Sequence, residues 1–381
     1  MKLIRGAALY APEYLGKKDV LIAGGRIEAI RDHIDLPEEL CEVIHGEGKI
    51  MTPGLIDCHV HITGGGGEGS FHTKAPEVNL SALLKGGITT VLGLLGTDGI
   101  SRSVENLLSK TKALKEEGIS CYMLCGSYGY PSVTITGSVG RDIAFLEECI
   151  GCKLAISDHR APNITTQELI RLASDVRTAA MLSGKAGILT LHMGDDKRGL
   201  EPVFEALAST SIPIKTFHPT HVGRNDLLFE HAVRFAKMGG FIDLTTGSEH
   251  VPITGRLRQA KAAGVPTDRI TMSSDGQGSW SNYDEEGHLL EIGVSSVESL
   301  HKELITLVAD GVELPEALSY MTSNVAASLE LPQKGHLREG ADADLLLMQP
   351  DLSLDTVIAM GRTMMQDGKL QVWGTYEPKN P

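Results

Sequence analysis

Short apolar runs separated by amphipathic stretches mark the middle of the chain. Eight of them read as strands, centred on residues 55–60, 90–95, 121–125, 150–156, 188–192, 214–217, 241–244 and 270–272. Between them apolar residues recur at helical spacing. Val104, Leu107, Leu108, Thr111 and Leu114 share one face, and Leu169, Leu172, Ala173, Val176 and Ala180 share another. Alternating strand and helix predicts a parallel sheet covered by helices, and eight such units between about Pro53 and Gly335 predict a (β/α)8 TIM barrel. No G-x-G-x-x-G opens a helix after a strand, which argues against a doubly wound dinucleotide-binding sheet.

The two ends follow another pattern. Val20-Leu21-Ile22-Ala23, then Gly24-Gly25, then Arg26-Ile27-Glu28-Ala29-Ile30 predicts a β-hairpin on a two-glycine turn. Residues 343–348 and 356–359 and an Asp367-Gly368 turn repeat that grammar near the C-terminus. The expected class is therefore α/β. Residues 53–335 form the barrel, and residues 1–52 and 336–381 pair as the two parts of a small β-sandwich domain.

Charge and composition narrow the partners. With 35 basic and 49 acidic residues the 381-residue chain carries a formal charge of −14, which speaks against nucleic acid as a partner. No apolar run approaches the roughly 18 residues of a membrane helix, and Met1 to Tyr10 is too short for a signal peptide. A cytoplasmic protein with no membrane partner is expected, its six cysteines reduced. Cys149-Ile-Gly-Cys152 has redox-motif spacing, but no helix start follows to acidify a thiol, so both are expected to be buried strand residues.

The chemistry gathers at strand ends. His59-Val60-His61 closes the first strand, and alternation sends both imidazoles to one side. With 14 histidines such a pair arises by chance about as often as not, so context must decide. His192 ends the fifth strand, His221 follows the sixth and Asp275 follows the eighth, so four His and one Asp converge on the C-terminal mouth where barrels keep their active sites. That set suits a divalent metal, zinc before cobalt, manganese or iron. His72, His159, His218, His231 and His250 read as loop or helix-face residues. Four glycines at 64–67 let backbone approach a ligand, and Glu68 after them can pair with an ammonium. Arg160 and Arg224, after strands four and six, can each hold a carboxylate through two N–H groups, and the Tyr128 hydroxyl, after strand three, can polarise a carbonyl.

Together, Pro53-Gly54-Leu55-Ile56-Asp57-Cys58-His59-Val60-His61, Gly93-Leu94-Leu95-Gly96-Thr97-Asp98, Ile156-Ser157-Asp158-His159-Arg160, Pro219-Thr220-His221-Val222, Ser273-Ser274-Asp275-Gly276 and Gly340-Ala341-Asp342-Ala343-Asp344-Leu345 resemble the amidohydrolase superfamily. Within it the match is to the isoaspartyl (β-aspartyl) dipeptidase family. The resemblance implies a carbamylated lysine on strand four, where Lys153 stands. An ammonium cannot bind a cation, but a neutral amine that captures CO2 presents a carboxylate-like group able to bridge two metals. It implies two divalent metals, most readily Zn2+, held by His59, His61, Lys153, His192, His221 and Asp275, with a hydroxide held between them and Asp275 as general base and acid. It further implies Tyr128 as a catalytic residue and substrate contacts from Gly66, Gly67, Glu68, Thr97, Arg160, Arg224 and Ser279. The implied substrates are small β-aspartyl dipeptides, and the implied assembly is a homo-oligomer, up to an octamer. A cyclic-amide hydrolase of dihydroorotase or hydantoinase type is the alternative, and a non-catalytic scaffold on the same barrel a third reading.

Overall fold

A computed structural model describes residues 1–247, 252–284, 286 and 288–378; His250 lies outside the described residues. The N-terminal segment supplies five strands, β1 (Lys2–Tyr10), β2 (Tyr14–Ala23), β3 (Arg26–Arg31), β4 (Glu42–His45) and β5 (Ile50–Pro53). The expected hairpin is β2–β3, and Gly24 and Gly25 turn it at φ +56° and +80°, a conformation that costs glycine least.

Eight parallel strands follow. These are β6 (Leu55–Val60), β7 (Ile88–Gly93), β8 (Ser120–Gly126), β9 (Cys149–Ile156), β10 (Ile188–Met193), β11 (Phe217–Thr220), β12 (Ile242–Thr245) and β13 (Ile270–Ser273). Residues 214–216, expected in the sixth strand, form a 3-10 turn instead, with Pro213 fixing its entry. β6 to β11 form one ladder and β12 pairs with β13 in a second. β12 packs beside β11 and β13 beside β6, so the parallel sheet curls into a TIM-barrel-like ring.

The predicted helical faces are buried. Helix Val104–Glu117 buries Val104, Leu107, Thr111 and Leu114, starts on a Ser103 cap and stops at left-handed Gly118. Helix Thr166–Ser183 opens with a Thr165/Glu168 capping box and buries the face from Leu169 to Ala180. Each fully buried leucine there contributes about 1.5–3 kcal/mol. On β9, Cys152, Leu154 and Ile156 join the layer between strands and helices, which turns Lys153 to the ring interior. Cys149 and Cys152 are buried free thiols, as expected.

Beyond β13 an antiparallel hairpin, β14 (Ser279–Tyr283) and β15 (Leu289–Val294), projects from the mouth. β16 (Leu345–Met348), β17 (Leu354–Ala359), β18 (Arg362–Gln366) and β19 (Lys369–Leu370) close the chain. The ends meet as expected, joined in one nine-stranded sheet. The reason is the β5–β16 pairing, Met51 opposite Leu347, which fuses both halves into a single ladder. Ile4, Leu9, Val20, Met51, Leu345 and Ile358 make its core. Among the described residues no helix is long and apolar enough to cross a membrane.

Candidate active site

The strand ends deliver a compact cluster. Lys153 Nζ lies 2.9 Å from His59 Nε2, and Asp275 Oδ1 lies 3.1 Å from His61 Nε2 and 3.5 Å from His59 Nε2. Ligand atoms of His59, His221 and Asp275 fall within 4.8 Å of one another. Burial, reinforced by neighbouring imidazoles and Lys153, pushes His59 and His221 well below the usual histidine range, so they stand neutral, the form that binds metal. Burial also brings the Lys153 ammonium down to about 7, against the pull of Asp275 and Asp243.

The residues fit a cation. The Nδ1 atoms of His59 and His61 and Oδ1 of Asp275 are buried with no hydrogen-bond partner among the described residues. Imidazole nitrogens and a carboxylate oxygen crowded this way make a donor set suited to a zinc-like divalent ion. His192 stands apart in one respect: its ring centroid is 4.7 Å from that of His221, but Nδ1 meets Tyr128 Oη at 2.6 Å and Nε2 meets Asp158 Oδ2 at 3.0 Å.

A cavity of about 1160 Å³ opens over the cluster, lined by His61, His192, His221, Asp275 and Tyr128 as well as Gly66, Glu68, Thr97, Arg160, Arg224 and Ser279. Glu68 is almost fully buried and accepts from Thr97 Oγ1 at 3.0 Å and from Ser279 Oγ at 2.9 Å on both its oxygens. Gly66, at φ +78°, lines the cavity, and a Cβ there would sit 2.5 Å from Thr73 O. Gly67, at φ +106°, continues the turn into Glu68. Arg160 is more committed than its sequence position implied: Nε and Nη2 hold the two oxygens of Asp158 at 2.9 Å each, and the guanidinium lies 5.4 Å from the Tyr128 ring centre. Arg224, 30% exposed, is 3.9 Å from Asp158 and faces the cavity with less to hold it. Burial pushes the Tyr128 hydroxyl above its ordinary range, so it stays protonated.

Three features were not read from sequence. Asp158 joins Arg160, His192 and Arg224; burial favours its neutral form, but hydrogen bonds from Arg160 and His192 outweigh that and hold it well below the carboxylate range. Trp280, Asn282 and Glu291 of the β14–β15 hairpin also line the cavity. His218, expected on a loop or helix face, is a buried residue of β11 whose Nε2 has no partner among the described residues. His72 is exposed in a 3-10 turn, His159 is exposed at the cavity edge, and His231 accepts from Leu200 N at 3.2 Å.

A curled parallel sheet with histidines, a lysine and an aspartate at its strand ends defines a class of hydrolase fold, and the chain belongs to the amidohydrolase family, whose model matches residues 50–364. Within that family it is similar to the β-aspartyl dipeptidase of the thermophilic, keratin-degrading Fervidobacterium islandicum AW-1, a structure solved in complex with β-Asp-Leu dipeptide. The two are 41% identical over 97% of this chain and 98% of that one, with a TM-score of 0.93. A dihydroorotase of Listeria monocytogenes serovar 1/2a is 24% identical, over 94% of this chain and 92% of its own length. A D-hydantoinase of Bacillus sp. AR9, 16% identical with a TM-score of 0.69 over 98% of this chain and 97% of its own, shares the fold.

Proposed function

We propose that this chain is a binuclear metallo-dipeptidase that hydrolyses β-aspartyl (isoaspartyl) dipeptides. The observation that carries the reading is one cavity in which His61, His192, His221 and Asp275 face the buried carboxylate Glu68 and the arginines Arg160 and Arg224. One ammonium reader and two carboxylate readers match a zwitterionic dipeptide with an additional carboxylate, and the 41%-identical neighbour holds β-Asp-Leu.

His59, His61, His192, His221, Asp275 and the carbamate of Lys153 would hold two divalent ions, zinc first. Bound metal supplies Lewis acidity, acidifying the attacking water and polarising the amide carbonyl. The Lys153 amine, brought to about 7 by burial, is partly neutral at physiological pH and so open to CO2. Asp275 Oδ1 takes the proton of the attacking water and delivers it to the leaving amine nitrogen. Tyr128 donates a hydrogen bond from its hydroxyl to the carbonyl oxygen, keeping its proton, as charge develops there. Glu68, positioned by Thr97 and Ser279, pairs with the substrate ammonium, and Arg224 is the freer of the two carboxylate readers. Gly66 and Gly67 let the backbone close over the aspartyl moiety.

The 24% identity to dihydroorotases keeps cyclic-amide hydrolysis as the second reading. Assaying β-Asp-Leu, α-Asp-Leu and dihydroorotate side by side separates them: the dipeptidase reading expects turnover of the first substrate only, and turnover of dihydroorotate without β-Asp-Leu selects the other. The same proposal treats residues 53–335 as the hydrolase barrel and 1–52 with 336–381 as a β-sandwich-type unit. It also places the protein in the cytoplasm as a homo-oligomer, an octamer by family likeness, which light scattering tests.

A further inference from the structure

The ring of strands has two seams. β6 to β11 are joined by one continuous ladder, and β12 and β13 by another. Among the described residues the β11/β12 seam is crossed by one backbone hydrogen bond, Val222 N to Asp243 O at 3.3 Å. At the other seam Ile56 N and Met272 N turn aside to Met321 O and Tyr320 O, and the upper ends are tied by the Val60/Gly276 bridge, by His61 N to Gly276 O, and by the buried Asp57 carboxylate of β6, which accepts from Ser274 N at 3.2 Å and from Ser274 Oγ. The proposed ligands His221, Asp275 and His59 border these seams rather than the continuous ladder. Two of the three are also strained. His221 and Asp275 have φ of +62° and +51°, a left-handed backbone that non-glycine residues keep only when the surroundings enforce it.

A single buried carboxylate spans both seams. Asp243, on β12 and fully buried, accepts at Oδ2 from Thr220 Oγ1 at 2.7 Å and Ser273 Oγ at 2.6 Å, and at Oδ1 from Thr271 Oγ1 at 2.8 Å and Cys58 Sγ at 3.4 Å. Its partners therefore come from β11, β13 and β6. Thr220 immediately precedes His221, Cys58 immediately precedes His59, and Ser273 stands two residues before Asp275. Two residues along β12 on the same face, Thr245 Oγ1 meets His221 Nδ1 at 2.6 Å. β12 thus fixes His221 twice, by the backbone entering it and by its ring.

We propose that Asp243 is a positioning residue: it replaces the missing ladder at the seams and holds His59, His221 and Asp275 at the spacing a metal site requires. The inference rests on the reading of those three residues as ligands. Side chains that orient ligands typically govern metal affinity by 10- to 100-fold without touching the metal. Asp243 would do so from below, through the residues next to three ligands at once.

The test uses full-length protein and four variants, Asp243→Asn, Thr220→Val, Ser273→Ala and Thr271→Val. Each of the last three removes one hydroxyl from the same carboxylate, but only Thr220 and Ser273 are next to or two residues from a ligand. Each protein is loaded with Zn2+ and exposed to pyridine-2,6-dicarboxylate for a fixed time. Zinc per subunit is then read by elemental analysis, with the urea midpoint alongside, and kcat and KM for β-Asp-Leu are measured after reloading with excess zinc. Thr220→Val and Ser273→Ala are expected to lose zinc about tenfold faster than wild type, and Thr271→Val to keep it despite a comparable fall in urea midpoint. Where Asp243→Asn folds it should lose zinc fastest, with kcat falling and KM little changed. Zinc retention equal to wild type in Thr220→Val and Ser273→Ala overturns the proposal, as does equal loss in Thr271→Val, which would reduce Asp243 to a general stabiliser. Wild-type protein that takes up no zinc overturns the ligand reading itself, a result distinct from either.

Discussion

Lys334 and Lys153 are both withdrawn from water, at 4% and 0% exposure, yet their nitrogens meet opposite surroundings. Lys334 Nζ, where the terminal sheet meets the ring, donates to Asp344 Oδ2 at 2.5 Å and to Ser120 Oγ at 2.6 Å, and lies 2.8 Å from Asp342 Oδ2. Burial pulls its pKa down, but the two carboxylates outweigh burial and hold it above the usual lysine range. Lys153 Nζ faces a histidine nitrogen at 2.9 Å, and burial prevails, to about 7. A buried lysine given anionic partners is a fixed cation that pins two parts of the fold together. One denied them is a neutral amine open to chemistry.

The contrast can be broken at either end. Lys334→Met should have the largest effect on folding, about 3–5 kcal/mol, because it leaves Asp344 buried without a counter-charge and Asp342 with Arg26 alone. Urea denaturation reads that loss, and turnover per folded molecule should stay near wild type. Little change in the urea midpoint would mean that water or rearrangement serves the two carboxylates equally well.

Lys153→Ala should do the reverse. Turnover of β-Asp-Leu is expected to fall on the order of 100-fold or more, about 2.7 kcal/mol in barrier, with little loss of stability, since no ion pair is broken. Short carboxylic acids should restore part of the rate by occupying the position of the carbamate. A variant that keeps wild-type turnover without added acid would make Lys153 a structural residue like Lys334.

How much of this was open to sequence follows from the same contrast. The parallel strands were legible because they are buried on both faces and read as apolar runs, and the His59-Val60-His61 pair was legible because two-residue alternation fixes its direction. The β14–β15 hairpin was not, because Trp280, Ser281 and Asn282 stand over an open cavity and show no apolar alternation. Asp158 and Asp243 were missed for a different reason: their meaning lies in partners such as His192, Arg224, Cys58 and Thr220, and a lone aspartate announces none of them. Lys153 itself was picked out by family resemblance alone, for nothing in Gly151-Cys152-Lys153-Leu154 distinguishes its environment from that of Lys334.

A smaller effect sharpens the division between metal cluster and substrate readers. Glu68→Gln and Arg224→Met should each lower kcat/KM for β-Asp-Leu by about tenfold or more, because each leaves a substrate charge without its partner. Metal content should be unchanged in both. Near-native kcat/KM with normal metal would defeat the dipeptide reading while leaving the metallohydrolase standing.

The most direct measurement is 13C NMR of the protein equilibrated with 13C-bicarbonate and zinc. The account predicts one carbamate resonance per subunit, absent from Lys153→Ala and retained in Lys334→Met. A zinc-loaded wild type with no such resonance, or a resonance that survives Lys153→Ala, would contradict it.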